Sequence, residues 1–229
     1  MHALDPKLML LPWTGGVLGK DAFPEDKDWR RDFVAQAKAL VDLGADGIHI
    51  NIEPMPETTP GYLELLAELR LALGPQKKVS VAAYPPPTPL HPYADVHWST
   101  DFLRQVCGVA DDIAIMAYDT ALDRPEAYTA LVAHWTQEIT HTLDDTNGCN
   151  WRIGVPDYDD DKPWHRPQAE TLSAALDGVI QAEMDGPFPG LKGLAIYSSW
   201  TTSPQEWAEF DLRWNNREPT NMNWMDPPD

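Results

Sequence analysis

Asp46-Gly47-Ile48-His49-Ile50-Asn51-Ile52-Glu53 is the stretch of sequence that decides the fold. Polar and apolar residues alternate strictly over it, which predicts a β-strand with three isoleucines on one face. The isoleucines are expected to pack against helices. His49, Asn51 and Glu53 then face the inside of a barrel, where a row of polar groups is costly unless they bond one another or a ligand. Because Glu53 ends the strand, the pattern predicts a functional site there.

On both sides of this segment the chain alternates between strands and helices. Such alternation is typical of a parallel α/β fold, and six units indicate a TIM-type (β/α) barrel short of the usual eight. We expect one barrel domain over residues 1–215 and a polar tail over 216–229. The predicted strands are 8–13, 47–53, 79–84, 113–118, 151–156 and 194–200. The predicted helices are one from the cap Asp28 to Gly44, then 60–73, 100–109, 125–143, 168–184, and one opened by the capping box at 203–206.

Composition limits the partners. The formal net charge is −19, so phosphate backbones and anionic lipid are repelled and nucleic acid is not an expected partner. No apolar run approaches the ~18 residues of a membrane span. Ten tryptophans and seven tyrosines suit a carbohydrate cleft, because apolar sugar faces stack on aromatic rings.

The chain has two cysteines, Cys107 and Cys149, too few for a disulfide-rich scaffold. The sequence is compatible both with one disulfide bond between them and with two free thiols.

The ends of the predicted strands carry the residues suited to chemistry. In parallel barrels, functional side chains lie at the carboxyl ends of the strands. Here those ends combine carboxylates, an amide, tyrosines and tryptophans, as a sugar-cleaving pocket requires. They are Trp13, Asn51, Glu53, Tyr84, Tyr118, Asp119, Asp157, Tyr158 and Trp200. We predict no metal site and no cofactor.

Five short motifs, in order, resemble those of the family-18 glycoside hydrolases. Residues 46–53 are similar to the family signature Asp-Gly-x-Asp-x-Asp-x-Glu, and Leu-Leu-Pro-Trp-Thr-Gly-Gly at 10–16 resembles its third strand, which ends in Ser-x-Gly-Gly. Met-Ala-Tyr-Asp at 116–119 fits Met-x-Tyr-Asp, and Gly-Val-Pro-Asp-Tyr at 154–158 fits Gly-x-Pro-x-Tyr. Trp200 matches the tryptophan that forms the floor of the sugar site.

This resemblance covers roughly residues 7–210 and implies retaining hydrolysis of β-linked N-acetylhexosamine glycans, such as those containing N-acetylglucosamine. In that reaction the substrate's own acetamido oxygen attacks the anomeric carbon. The resemblance implies that Glu53 is the general acid/base, that Tyr118 donates to the acetamido oxygen, and that Asp119 holds the sugar or adjusts Glu53. It implies substrate contacts from Trp13, His49, Tyr84, Met116, Asp157, Tyr158 and Trp200.

Two features depart from the family pattern. First, His49 and Asn51 replace the two interior aspartates of the signature. The Asn-x-Glu pair resembles that of the family-85 endo-N-acetylglucosaminidases, which implies that Asn51 binds a neutral oxazoline intermediate. His49 is expected either to fix the amide of Asn51 or to serve as a satisfied core histidine.

Second, the first predicted strand matches the third strand of the family. A missing N-terminal part is the favoured explanation, with a true six-unit barrel as the alternative. The unpaired edge strands of the sheet, at 8–13 and 194–200, would then have to be covered by other residues, for example by a second copy of the chain in a homo-oligomer. The sequence does not begin with a signal-peptide pattern. A missing N-terminal part would be able to carry one, as in secreted or periplasmic proteins, so the sequence does not determine the cellular location.

The main alternative to a hydrolase is a catalytically inactive, lectin-like barrel that binds carbohydrate. Retention of Glu53 argues against it, and loss of both aspartates argues for it. A metal-dependent hydrolase built on His49, Glu53 and Asp119 is disfavoured because no clear ligand pair accompanies them. The loop 157–168, which contains Trp164, is predicted to form part of the cleft rim, with its aspartates solvated rather than bound to calcium. The sequence leaves the choice among chitin fragments, peptidoglycan and N-glycan cores open.

Overall fold

Six parallel strands form one open sheet in the computed structural model, which describes residues 7–143, 149–186 and 188–216. Each strand pairs with its neighbours in sequence, so that β1 and β6 are the edges of the sheet. The predicted α/β fold with six β/α units is confirmed, and the open sheet is consistent with an incomplete barrel. The strands are β1 Trp13–Val17, β2 Gly47–Glu53, β3 Lys78–Ala83, β4 Asp112–Met116, β5 Asn150–Pro156 and β6 Leu191–Tyr197.

A helix follows each strand. The helices are α1 Lys27–Asp42, α2 Pro60–Leu73, α3 Thr100–Cys107, α4 Pro125–Leu143, α5 Leu172–Glu183 and α6 Pro204–Phe210, with a 3-10 turn at Ala94–Val96 and a π-helical turn at Asp211–Asn215. Among the described helices, none combines the length and apolar character needed to cross a bilayer. Apart from Asn216, the tail expected over 216–229 lies outside the described residues.

The apolar face of β2 packs against helices, as the alternation predicts. Ile48 and Ile50 are fully buried, in one core with Leu65 and Leu69 of α2. Burying a side chain of this size stabilises the fold by about 1.5–3 kcal/mol. This packing leaves the opposite face of β2 to the inside of the sheet.

Strand β1 differs from its prediction. It begins at Trp13 rather than at residue 8, and it continues to Val17, past the predicted end at residue 13. A Cβ atom on residue 15 would lie 1.7 Å from the carbonyl oxygen of Asn51. The two strands approach each other this closely because Gly15 has no side chain. Gly15 therefore marks the close contact between β1 and β2.

Strand β6 also ends earlier than predicted, at Tyr197 and not at Trp200. The peptide bond between Tyr197 and Ser198 is cis. The backbone N–H groups of Thr201 and Thr202 both donate to the carbonyl oxygen of Ser198. These bonds close a turn, and Trp200 lies within it.

Two helix starts differ from prediction as well. The cap of α1 is Asp26, whose side chain accepts hydrogen bonds from the N–H groups of Asp28 and Trp29, so Asp28 was the wrong choice. Helix α5 begins at Leu172 with Thr171 as its cap, four residues after the predicted start at 168. The capping box before α6 is present as predicted.

Cys107 and Cys149 form a disulfide bond, with their Cα atoms 5.4 Å apart. Of the two states left open by the sequence, the structure has the bridged one. The bond joins the end of α3 to the residue before β5. It therefore lies at the amino ends of the strands, opposite the end where Glu53 is located.

Candidate active site

A cavity of about 850 Å³ occupies the inside of the curved sheet. This volume lies in the range of small-molecule sites, about 300–1,000 Å³. All six strands contribute lining side chains, and three more come from the loops after β4 and β6. Of the predicted site residues, those that line the cavity are Trp13, His49, Asn51, Glu53, Met116, Tyr118, Asp119 and Trp200.

The polar face of β2 points into this cavity. Because side chains two positions apart share a face, Asn51 and Glu53 lie side by side there. Atom Oδ1 of Asn51 is buried and accepts no hydrogen bond from the residues that the structure describes. Asn51 therefore lines the cavity beside Glu53 with a buried acceptor that has no partner.

Tyr84 is the hydrogen-bond partner of Glu53. The hydroxyl group of Tyr84 lies 3.4 Å from Oε2 of Glu53. Burial, followed by the negative charge of Glu53, raises the pKa of Tyr84 above its ordinary value. Its phenol therefore stays protonated and can donate to Glu53, although Tyr84 itself does not line the cavity.

His49 bonds to Ser80 of β3 and not to Asn51. The distance from Nδ1 of His49 to Oγ of Ser80 is 2.8 Å, and the two residues are in register. A neighbouring strand is about 4.8 Å away, whereas the next residue on the same face is about 7 Å away, which explains the partner. Ser80 in turn donates to Asp112, which is paired with Arg152.

Burial, more than this polar network, keeps His49 neutral. Burial, and then the positive charge of Arg152, lowers the pKa of His49 to about 4. Of the two roles expected for His49, the structure supports the satisfied core histidine. His49 still lines the cavity.

Tyr118, Tyr197 and Trp200 form an aromatic wall of the cavity, and Tyr158 packs behind it. The rings of Tyr118 and Tyr197 are stacked with centroids 5.5 Å apart, and Tyr158 meets Tyr197 edge-on at 5.6 Å. Trp200 contacts Tyr197 at 6.0 Å and is 79% exposed. Burial, followed by the charge of Glu53, raises the pKa of Tyr118, which keeps its hydroxyl group protonated.

Tyr197 was not predicted as a site residue. Tyr197 was missed because the strand was predicted to span 194–200, which places its carboxyl end at Trp200. With β6 ending at Tyr197, the rule that functional groups lie at strand ends would have selected it. The aromatic residue at that position was the available signal.

Asp119 follows β4 with a backbone φ of 59°. Its Oδ1 accepts a hydrogen bond of 2.6 Å from the hydroxyl group of Tyr158, and Nδ1 of the buried His165 lies 3.3 Å away. Burial raises the pKa of Asp119, although the bond from Tyr158 opposes this shift. Tyr158 therefore contacts the site through Asp119 and does not itself line the cavity.

Asp157 does not join the cavity. Arg152 and Gly154 of β5 line it, so by alternation Asp157 points the other way. Its side chain is buried near Thr202 and Glu206, and burial raises its pKa. Trp164, expected on the cleft rim, is 55% exposed but is not among the residues that line this cavity.

The sequence matches no protein-family model and no curated protein sequence. Solved structures are similar to it, however. A chitinase from Chromobacterium violaceum ATCC 12472 superimposes with a TM-score of 0.65 at 16% identity, over 93% of this chain and 82% of that one. A class V chitinase from Pseudomonas fluorescens Pf-5 gives 0.62 at 13% identity, over 90% and 81%.

A family GH18 chitinase from Cycas revoluta, solved in complex with allosamidin, gives a TM-score of 0.50 at 20% identity, over 68% of this chain and 52% of that one. At identities this low, the similarity concerns the fold. The chain has a divergent family-18 chitinase-like fold.

Proposed function

We propose that this chain, with its divergent family-18 chitinase-like fold, is a glycoside hydrolase that cleaves β-linked N-acetylhexosamine glycans with Glu53 as general acid/base. The observation that carries the proposal is the pairing of Glu53 with the unused acceptor of Asn51 in one cavity. A buried acceptor left unpaired costs about 1–3 kcal/mol. A rotation of the Asn51 side chain that brings Oδ1 to the cavity surface would let the N–H group of a substrate acetamide satisfy it.

Substrate-assisted hydrolysis fits these groups. In the first step, the carboxyl group of Glu53 gives its proton to the glycosidic oxygen as the bond to the anomeric carbon breaks. The acetamido oxygen of the same sugar attacks that carbon and closes a five-membered ring. In the second step, Glu53 takes a proton from a water molecule, which attacks the carbon and opens the ring with net retention. No protein nucleophile is needed.

Five neighbouring side chains support this role. Tyr118 lines the cavity, and its protonated hydroxyl group would donate to the acetamido oxygen, while Tyr84 donates to the carboxylate of Glu53. Tyr197, together with the exposed ring of Trp200, offers an apolar surface for the sugar. The amide oxygen of Asn51 can accept a hydrogen bond from the acetamide N–H but takes no proton from it, so the five-membered ring keeps that proton as an oxazolinium until water attacks.

A non-catalytic sugar-binding barrel is the second candidate. One observation favours it: the two β2 residues that accompany Glu53 on the cavity face, His49 and Asn51, are both uncharged, since the pKa of His49 is lowered to about 4. Such a site has no second carboxylate on β2 to stabilise positive charge on the substrate. It would bind the same glycans through the aromatic wall without cleaving them.

Reducing-end release from N-acetylglucosamine oligosaccharides separates the two candidates. Parent protein, Glu53→Gln and the control Glu126→Gln, an exposed acid in the first turn of α4, would be assayed together. A hydrolase should lose roughly 10²–10⁴-fold in kcat with Glu53→Gln only, and NMR of the first product should show the β-anomer. Equal cleavage by Glu53→Gln would refute its role, and binding without cleavage by all three proteins would support the sugar-binding barrel.

A further inference from the structure

We propose that Asp119, His165 and Glu170 form a site for one divalent transition-metal ion such as Zn²⁺. One ligand atom from each residue lies within 4.8 Å of the others. Nδ1 of His165 is 3.3 Å from Oδ1 of Asp119 and 3.5 Å from Oε2 of Glu170. A zinc ion with nitrogen and oxygen ligands at about 2.0–2.2 Å spaces its tetrahedral neighbours about 3.4 Å apart. The two distances from Nδ1 of His165 already have this spacing, and the two carboxylate oxygens lie within 4.8 Å of each other.

The free nitrogen of His165 points to a cation. Its side chain is fully buried, and Nδ1 makes no hydrogen bond within the described part of the chain. The other ring nitrogen, Nε2, lies 3.2 Å from the carbonyl oxygen of Tyr158 and must carry a hydrogen to bond it. Nδ1 then faces two carboxylate oxygens and makes no hydrogen bond to either. A positive ion between these three ligand atoms would satisfy all of them.

The ligands are held in place by the outer contacts that metal sites usually have. The backbone N–H of Thr120 lies 3.1 Å from both oxygens of Glu170, and that of Arg166 lies 3.3 Å from Oε1. The hydroxyl group of Tyr158 donates to Asp119, and its ring stacks on His165 with centroids 4.0 Å apart. Such contacts fix the orientation of ligands before an ion binds.

The position of the site gives the ion a structural role. Asp119 is the ligand that lines the large cavity, so water on that side can fill the open coordination position. Asp119 and Ala121 both have φ of 59°, a conformation that non-glycine residues keep only where surrounding contacts impose it. The N–H of Ala121 donates to the carbonyl oxygen of Trp164. The ion would tie the same two loops together, independently of any glycan cleavage.

Metal content and metal affinity test this site without an activity assay. The full chain, stripped with a chelator, would be titrated with ZnCl₂ and with CoCl₂, whose tetrahedral complexes absorb visible light. We expect one equivalent of bound zinc and a higher melting temperature. His165→Gln should weaken binding by roughly 100-fold or more, and Tyr158→Phe by about 10–100-fold.

His134→Gln is the matched control. His134 also lies 3.3 Å from a carboxylate, that of Glu138, but it is on the surface of α4. Its removal should leave the zinc stoichiometry unchanged. If His165→Gln does not fold, as judged by circular dichroism, Asp119→Asn removes a more exposed ligand and should give the same loss of zinc.

Three results would overturn the proposal. One is no saturable binding of Zn²⁺ or Co²⁺ by the parent protein. Another is undiminished binding by the folded His165→Gln or Asp119→Asn variant. The third is a nitrogen NMR spectrum in which Nδ1 of His165 stays protonated in the presence of zinc, because a proton would then balance the two carboxylates instead of a metal.

Discussion

Reduction of the Cys107–Cys149 disulfide should lower the free energy of unfolding by about 4 kcal/mol. The two residues are 42 positions apart in the sequence. In the chain-entropy description, cross-linking a loop of this length removes about 4 kcal/mol of unfolded-state entropy at 25 °C. For a chain of this size, such a change corresponds to a fall of about 8–16 °C in melting temperature.

Melting curves of the same protein, recorded with and without a strong thiol reductant, measure this difference. Using one sequence keeps both buried sulfur atoms in place, so the comparison excludes the packing loss that Cys107→Ala with Cys149→Ala would add. Thiol titration in denaturant should find no free thiol before reduction and two after it. Glycan binding well below the melting temperature should persist, because the bond lies at the far end of the strands from Glu53.

An unchanged melting temperature after complete reduction would refute this reasoning. It would show that the bridged loop is already restricted in the unfolded chain, so that closing it removes no further entropy. Free thiols in the purified protein would contradict the bond itself.

Three further predictions concern strand contact, charge and catalysis. Gly15→Ala should destabilise the fold by more than about 3 kcal/mol in urea unfolding, because the new Cβ would meet the carbonyl oxygen of Asn51. The control Gly19→Ala has open space around it and should cost about 1 kcal/mol. The pKa of His49 is about 4 in the folded state against 6.5 in the unfolded state, so its contribution to the free energy of unfolding is fully present above pH 6.5. That contribution, up to about 3 kcal/mol, should be lost as the pH falls to 4. His49→Gln should therefore flatten the plot of unfolding free energy against pH between pH 6.5 and pH 4. Tyr118→Phe should lower kcat for glycan cleavage by about 10²–10³-fold with little change in KM, since it removes a donor to the reacting acetamide; equal initial rates would refute that role.

The sequence predicts the fold of this chain well wherever one pattern acts over several residues. The alternation in β2 correctly assigns both of its faces, and the predicted range 125–143 coincides with α4. The ends of helices and strands are harder to predict from the sequence, because they depend on single hydrogen bonds. Asp26 and Asp28 are equally good caps by composition, and only the folded backbone decides between them.

Prediction of the site succeeds along one strand and fails between loops. Asn51 and Glu53 follow from alternation alone, because they belong to one element. The partner of His49 depends on strand register, which the sequence does not state. The association of Asp119 with Glu170, 51 positions apart, arises where two loops meet, and no local pattern in either loop indicates it.

The distribution of indole rings makes the cavity observable by light. Trp13 and Trp200 line it and are 62% and 79% exposed, whereas Trp98, Trp135 and Trp151 are fully buried in the core. Indole emission shifts to shorter wavelength when water is displaced, and a soluble quencher reaches only exposed rings. Intrinsic fluorescence therefore divides into a core fraction that reports folding and an exposed fraction, to which Trp13 and Trp200 contribute together with Trp164 and Trp207 outside the cavity. A glycan seated on Trp13 and Trp200 would protect part of the exposed fraction from quenching, so binding can be followed with unlabelled protein whether or not the ligand is cleaved.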